Sequence, residues 1–425
     1  MSTTFSNALS GLNANALAID VVSGNLANLN AYGYKNTSVS FQDLVNQSLG
    51  ATAGQSTSSQ VGGSTVAQTT RSFSQGSIQS TTQPFDAAIQ GNGFFVLRTP
   101  TNPQVFTRAG NFKVDSTGRL LTQGGQYVQG WNAKNGTLTT TGNVTDVILP
   151  ITGLRQPTPT ANYSVTANLN ASATVGSSAA TFSSPMPIVD SQGNNHMLTI
   201  TYTKTAADTW SYAVTIPSVD LTTAAAAPSP ATTTSVASGT LVFDGAGHLS
   251  TPSATDGPIS VAVKGLANGS SDATISWKIY DDTGTASLTQ YNQASANLGS
   301  TQDGTPSGQL TNMSIGTSGQ ILAHYSNGDA VPVAQLAIAS VLNPDSMQDL
   351  GDNTFGVTSA SSLPAIGIPG TGSRGQITGG ALEASTVDIA KEFTNLLTYE
   401  RGYQANSKVV TTEDDIMQET VGLKR

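Results

Sequence analysis

Residues 381–425 read ALEASTVDIAKEFTNLLTYERGYQANSKVVTTEDDIMQETVGLKR, and in them Leu382, Ile389, Leu396, Tyr403, Val410 and Met417 stand seven apart. A period of seven is the seam of a coiled coil. The other end of the chain matches it. Phe5, Leu12, Ile19 and Leu26 are also seven apart, with Leu9 and Ala16 four residues after the first two. Two seams at opposite ends predict that the termini meet and that each helix needs a partner. That layout suits a polymer subunit better than an enzyme.

The N-terminal seam sits in a weak helix. Apolar residues at 5, 9, 12, 16, 19, 22, 26 and 29 follow helical spacing over residues 3–30. Gly11 and Gly24 each cost about 1 kcal/mol relative to Ala. Asn7, Asn13, Asn15, Asn25 and Asn28 compete for backbone hydrogen bonds. Such a helix is expected to stay disordered until it docks. The two ends also differ in charge. Residues 381–425 carry 8 acidic and 5 basic side chains, whereas Asp20 is the first charge of the chain and Lys35 its first cation. The first helix is therefore expected to be covered on most sides, and the second to keep a polar face toward water or a water-filled lumen.

Between the ends the period changes to two. Residues 46–70 are uncharged and rich in Ser, Thr, Gly and Gln, and read as a linker, with Val61 and Val66 leaving room for short strands. Phe94 to Leu97 is a short apolar strand entered through Gly91-Asn92-Gly93, and Tyr127 to Trp131 is another. Leu198, Ile200 and Tyr202 alternate with threonines; Trp210, Tyr212, Val214 and Ile216 share a face; so do Ile275, Trp277 and Ile279. This alternation predicts antiparallel sheets closed as a barrel or sandwich, with the tryptophans in the core. Residues 221–240 read as an inserted loop. The run 363–370 is too rich in Gly and Pro for a helix, and the second helix is expected from about 381.

Composition excludes much. The 425 residues contain no cysteine, so disulfides, thiolate metal sites and cysteine nucleophiles are ruled out. Charged residues are 10% of the chain and the net charge is -9, against nucleic acid or an anionic membrane as partner. No apolar run approaches the ~18 residues of a membrane span. The first residues lack the features of a cleaved secretory signal, so export is expected by another route. His196, His248 and His324 are far apart and read as surface residues. Asp281-Asp282 falls in a turn and Glu413-Asp414-Asp415 on a wet helix face. No constellation for catalysis, a cofactor or a metal is present.

Local strings then become recognisable. NLANLNAYGYK at 25–35 resembles the signature of the flagellar axial proteins of rod and hook, with Ala31 where Thr is more usual. Its matching positions are Asn25, Asn28, Gly33, Tyr34 and Lys35. LEASTVD at 382–388 resembles the family's helix-start motif, and RGYQANSKVV at 401–410 its core, through Tyr403, Gln404, Asn406, Ser407 and Lys408. The string 403–408 is similar to the hook branch. So are MPIVDSQGNNH at 186–196, AIQGNGFFV at 88–96, TRAGNF at 107–112 and Asn343-Pro344-Asp345-Ser346.

The resemblance implies a mainly β chain of mixed class. Two antiparallel β-domains lie in series, with a helical coiled-coil domain made by both ends. It divides the chain into an inner helical domain (1–34 and 381–425), an extended connector (35–70 and 369–380), an inner β-domain (71–155 and 306–368) and an outer β-domain (156–305). It implies a subunit that polymerises with itself into a curved, flexible tube outside the cell. The tube joins rod to filament and carries torque as a universal joint. Export by the flagellar type III route is implied, and so are contacts with a distal rod protein, a hook cap protein and a hook–filament junction protein. Neither a cofactor nor membrane insertion is implied. Two alternatives remain open: a distal rod protein with an inserted domain, and a secreted β-rich adhesin.

Overall fold

The computed structural model describes residues 3–44, 64–101, 103–134, 136–222 and 233–422. The linker reading of residues 46–63, Val61 included, lies outside them, as does the centre of the inserted loop at 223–232. The chain divides into two compact units: residues 1–151, 312–324 and 330–425, and residues 152–311 and 325–329.

The second unit is a β-sandwich. One sheet orders the strands Thr181–Val189, Asn195–Ala206, Thr209–Pro217, Thr233–Phe243 and Leu249–Thr251 as consecutive antiparallel neighbours. Residues 233–240, read as loop, are therefore strand. The other sheet runs Ile259–Val263, Ala273–Lys278, Asn162–Asn168, Leu288–Thr289, and Ala296–Gln302 also pairs with Asn162–Asn168. The pairings of Asn162–Asn168 with Ala273–Lys278 and Leu288–Thr289 are parallel, since the chain crosses the opposite sheet before it returns. Alternation does its expected work. Leu198, Ile200, Tyr202, Trp210, Val214, Ile216, Ile275 and Trp277 all lie in one core between the sheets. The Trp277 ring meets Tyr212 edge-on at 5.3 Å.

His196 departs from its surface reading. Its side chain is 9% exposed, and its ring nitrogens lie 3.0 Å from Asp190 Oδ2 and 3.3 Å from Asp220 Oδ2. Asp190 is buried. Its Oδ1 accepts from the backbone of Gln192 and Asn194, and its Oδ2 from Asn268 and Asn194. Burial pushes the Asp190 carboxyl up, but the hydrogen bonds from His196, Asn268 and Asn194 outweigh it and hold the group well below the usual carboxylate range. A depressed folded value adds stability above the unfolded value of about 3.9 and loses it as pH falls. The sandwich is therefore expected to lose stability steeply below about pH 4. In Asp190→Asn, already weaker at neutral pH, that acid limb should be shallower. Urea titrations between neutral and acid pH check this, and equal slopes would refute it.

In the first unit a sheet orders Gln320–Tyr325, Ala330–Leu336, Tyr127–Asn132, Phe94–Arg98, Gln104–Thr107, Thr354–Gly356 and Gln348–Gly351. Phe94–Arg98 is apolar on both faces for a reason: Phe95 and Leu97 enter one core, Phe94 and Val96 another. Two helices complete the unit, α1 (Thr3–Ala27) and α2 (Ile389–Gly422).

Three boundaries differ from the sequence reading. α2 begins at Ile389, not 381, because Asp388 caps it: its Oδ1 accepts from the backbone N–H of Ala390 at 2.9 Å and Lys391 at 3.1 Å. Leu382 is thus no helical seam residue. It lies buried in the strand Ala381–Glu383, paired with Ile78–Ser80. Residues 35–70 are not an extended connector throughout, since Thr37–Leu44 and Ser64–Arg71 pair as an antiparallel hairpin. Within 369–380, Gln376–Gly379 pairs with Ala87–Gln90.

Candidate functional site

The two chain ends pair with each other, antiparallel, as three contacts establish. Gly11 faces Asn406, Gly402 faces Asn15, and Asn25 Nδ2 donates to Glu392 Oε2 at 3.3 Å. The closest approaches in the seam between the helices are made by glycine and asparagine. On α1 the buried positions are Ala8, Ala14, Ala18, Val22 and Asn25. On α2 they are Glu392, buried, and half-buried Leu396, Tyr399, Gly402, Asn406 and Val410. Leu396 and Val410 of the sequence seam are half-buried, as are Phe5, Leu12, Ile19 and Leu26. Leu9, Ile389, Tyr403 and Met417 are exposed, and so are Leu17, Phe393, Leu397, Val409 and Ile416. Both faces of α1 are apolar, so periodicity alone did not rank them. Small side chains let the helix backbones approach, and Leu9, Leu17, Phe393 and Leu397 are among the large ones turned outward.

The recognisable string at 25–35 and the start of the C-terminal string meet in a joint beneath this pair. Asn25 is fully buried. Its side-chain amide makes two bonds to the backbone of Thr37, accepting from N at 3.0 Å and donating to O at 2.7 Å, while Tyr34 Oη donates to its Oδ1 at 3.2 Å. One asparagine therefore ties the end of α1 to the hairpin and to the start of α2. Burial raises the Tyr34 phenol above its ordinary value. Asn28 closes the end of α1 by donating to Gly24 O at 2.9 Å.

Below Asn25 the joint is ionic. Lys35 Nζ donates to Glu383 Oε1 at 2.6 Å and to Ser74 O at 2.6 Å. Arg108 Nη1 lies 3.4 Å from Glu383 Oε2, and its Nη2 donates to Gly91 O at 2.9 Å. Gly76 N completes the set at 2.7 Å from Glu383 Oε1. Side-chain exposure is 0% for Lys35 and Glu383 and 4% for Arg108. One carboxylate thus balances two buried cations. Burial lowers both basic groups from their ordinary values, against the opposing pull of Glu383. Gly33 N also donates to Glu383 O at 2.8 Å, and Thr386 N to Tyr34 O at 3.2 Å. Glu383 and Arg108 lay inside quoted motifs but were not singled out. Their signal was an acid and a base in stretches with few charges, and spacing alone does not join Glu383 to Arg108, 275 positions away, or to Lys35, 348 positions away.

Of the remaining motif positions, Gln404 and Lys408 are exposed and Ser407 half-buried on α2. Gln404 Nε2 donates to Glu400 at 3.2 Å. No group of three or more metal-binding side chains occurs among the described residues, and no described helix is long and apolar enough to cross a membrane.

A paired set of chain ends, outward apolar side chains and a buried ionic joint to a β-domain define a structural subunit built for assembly. Four family models match in sequence order. They are Flagella basal body rod protein (residues 5–35), Flagellar hook protein FlgE/F/G D1 domain (88–168), Flagellar basal body protein FlaE D2 domain (160–305) and Flagellar basal body rod FlgEFG protein C-terminal (378–423). The chain is 32% identical to the flagellar hook protein FlgE of Salmonella typhimurium over 433 residues, 99% of this chain and 100% of that one. It is 32% identical to the FlgE of Borreliella burgdorferi, covering 98% of each. It is also 32% identical to that of Escherichia coli, covering 99% of this chain and all of the relative. The crystal structure of Helicobacter pylori flagellar hook protein FlgE2 shares the fold at a TM-score of 0.54 and 16% identity, over 71% of this chain and 99% of that one. The chain belongs to the flagellar hook protein family.

Proposed function

We propose that this hook subunit assembles with copies of itself through the outward apolar face of its α1–α2 pair. The observation that carries this reading is the exposure of large apolar side chains on both helices: Leu9, Leu17, Phe393, Leu397, Ile416 and Met417 are each two-fifths or more exposed. Full burial of such a side chain contributes roughly 1.5–3 kcal/mol, and covering the exposed half of each contributes about half of that. In this reading the helical ends are the innermost layer of the tube and hold neighbouring subunits together. The charged residues of α2, exposed at Lys391, Glu400, Arg401, Lys408, Asp414, Asp415 and Glu419, would face the channel. The sandwich surfaces would slide as the tube bends, giving the universal joint. Contacts with a distal rod protein, a cap protein and a junction protein, and export by the flagellar type III route, belong to the same reading, which needs no catalytic role.

The test is polymerisation of the purified chain, followed by sedimentation and electron microscopy. Phe393→Asp and Leu397→Lys are expected to abolish tubes while leaving the unfolding free energy within about 0.5 kcal/mol of wild type, as for exposed positions. Deleting residues 1–30 should also abolish them. A wild-type polymer that is straight rather than curved favours the rod alternative. Normal assembly of both charged variants overturns the proposed interface.

A further inference from the structure

The contact between α1 and α2 contains a reciprocal arrangement. A Cβ on Gly11 would lie 2.9 Å from Nδ2 and 3.0 Å from Cγ and Oδ1 of Asn406. A Cβ on Gly402 would lie 2.7 Å from Oδ1 and 3.1 Å from Cγ of Asn15. Each asparagine is held in place by its own helix. Asn15 Nδ2 donates to Gly11 O at 2.7 Å, and Asn406 Nδ2 donates to Gly402 O at 2.9 Å. The same Gly-x-x-x-Asn unit therefore occurs once on each helix. Each unit's asparagine is seated on the other's glycine, as a local two-fold axis between antiparallel helices requires.

This answers a question the large side chains leave open. A heptad pattern looks the same after a slip of seven residues, two turns of helix. The large apolar residues of α1 therefore do not by themselves choose between registers. The Gly/Asn units do. A slip of seven places Asn406 opposite Ala18 or Thr4 in place of Gly11, and Asn15 opposite Val409 or Asn395 in place of Gly402. Every slipped position carries a Cβ where the native register has none. Neither glycine needs a left-handed backbone, since both are helical, so close approach is the reason for glycine at both sites.

The geometry points to a register lock: Gly11/Asn406 and Gly402/Asn15 fix the axial offset of α1 against α2, and so decide which large side chains the pair presents to neighbouring copies. These four are positioning residues for assembly, and the idea rests on the reading of the chain as a self-assembling subunit for its readout.

Crosswise rescue tests it. Gly11→Ala and Gly402→Ala each raise helix propensity, so propensity alone predicts assembly at equal or lower concentration. The lock predicts the opposite, a rise of about tenfold in the protein concentration needed for tubes, from overpacking of the contact. Asn406→Ala should restore assembly to Gly11→Ala but not to Gly402→Ala. Asn15→Ala should restore it to Gly402→Ala but not to Gly11→Ala. Unchanged assembly of both glycine variants overturns the lock, as does rescue without that pairing. If wild type itself forms no tubes, it is the assembly reading that fails, and hydrogen exchange of α1 in the free chain then carries the test. There Gly11→Ala should speed exchange and Asn406→Ala should reverse it, and slower exchange in Gly11→Ala overturns the lock.

Discussion

Replacing Glu383 by Gln is expected to cost the first unit about 3–5 kcal/mol, the scale for removing one partner of a buried ion pair. Lys35 and Arg108 would then sit without exposure and without a counter-charge. The amide offers Lys35 and Gly76 only a neutral acceptor in place of an ionised one. Because Glu383 also joins residues from the N-terminal string, the C-terminal string and the β-part, the loss should be cooperative and loosen the helical ends along with the sheet. Denaturant unfolding of the whole chain measures the loss, and sedimentation its effect on assembly. A triple variant, Lys35→Met, Arg108→Met and Glu383→Leu, should recover much of the stability, since an apolar set of similar volume often replaces a buried ionic one. A loss below about 1 kcal/mol in Glu383→Gln would mean that the triad is not the joint.

Gly33→Ala carries the second large effect. Gly33 has φ of 68°, and a Cβ there would lie 2.5 Å from both Ala109 N and Arg108 C. The left-handed backbone costs an L-residue roughly 1–2 kcal/mol. The clash is with the backbone of the Arg108–Ala109 peptide, so no side-chain rotation relieves it, and overpacking adds about 1–3 kcal/mol. The expected loss is therefore about 3 kcal/mol, with tubes failing at concentrations where wild type assembles. Gly24→Ala is the internal control. It lies in α1 with nothing within 4 Å of its missing Cβ, so it should stabilise the helix by up to about 1 kcal/mol. Equal behaviour of the two variants would show that the turn at Gly33 does not seat the helices on the β-part.

The strands were legible because alternation is a local record of burial. Trp210, Tyr212, Val214 and Ile216 alternate with small or polar residues, and each lies in the sandwich core. Phe94 to Leu97 read as one apolar run because two cores flank it. The pairing of Thr37–Leu44 with Ser64–Arg71 was legible only as room for a short strand at Val66, because strands made mostly of Ser, Thr and Gln leave little apolar pattern. His196 read as a surface residue because no local signal marks the burial that its partners Asp190 and Asp220 bring about.

Sequence by itself determined that both ends are helical with large residues in sevens, that the middle is β, and which strings carry the family. These follow from local periodicity and residue type. Tertiary structure decided three things. The closest approaches between the helices are made by Gly and Asn, while Leu9, Leu17, Phe393 and Leu397 are left exposed. Leu382 belongs to a strand and α2 starts only where Asp388 caps it. Glu383 joins Lys35 and Arg108 in one buried joint. Each depends on which surface wins a partner, and that is settled by how closely two backbones approach and which charges are left without water.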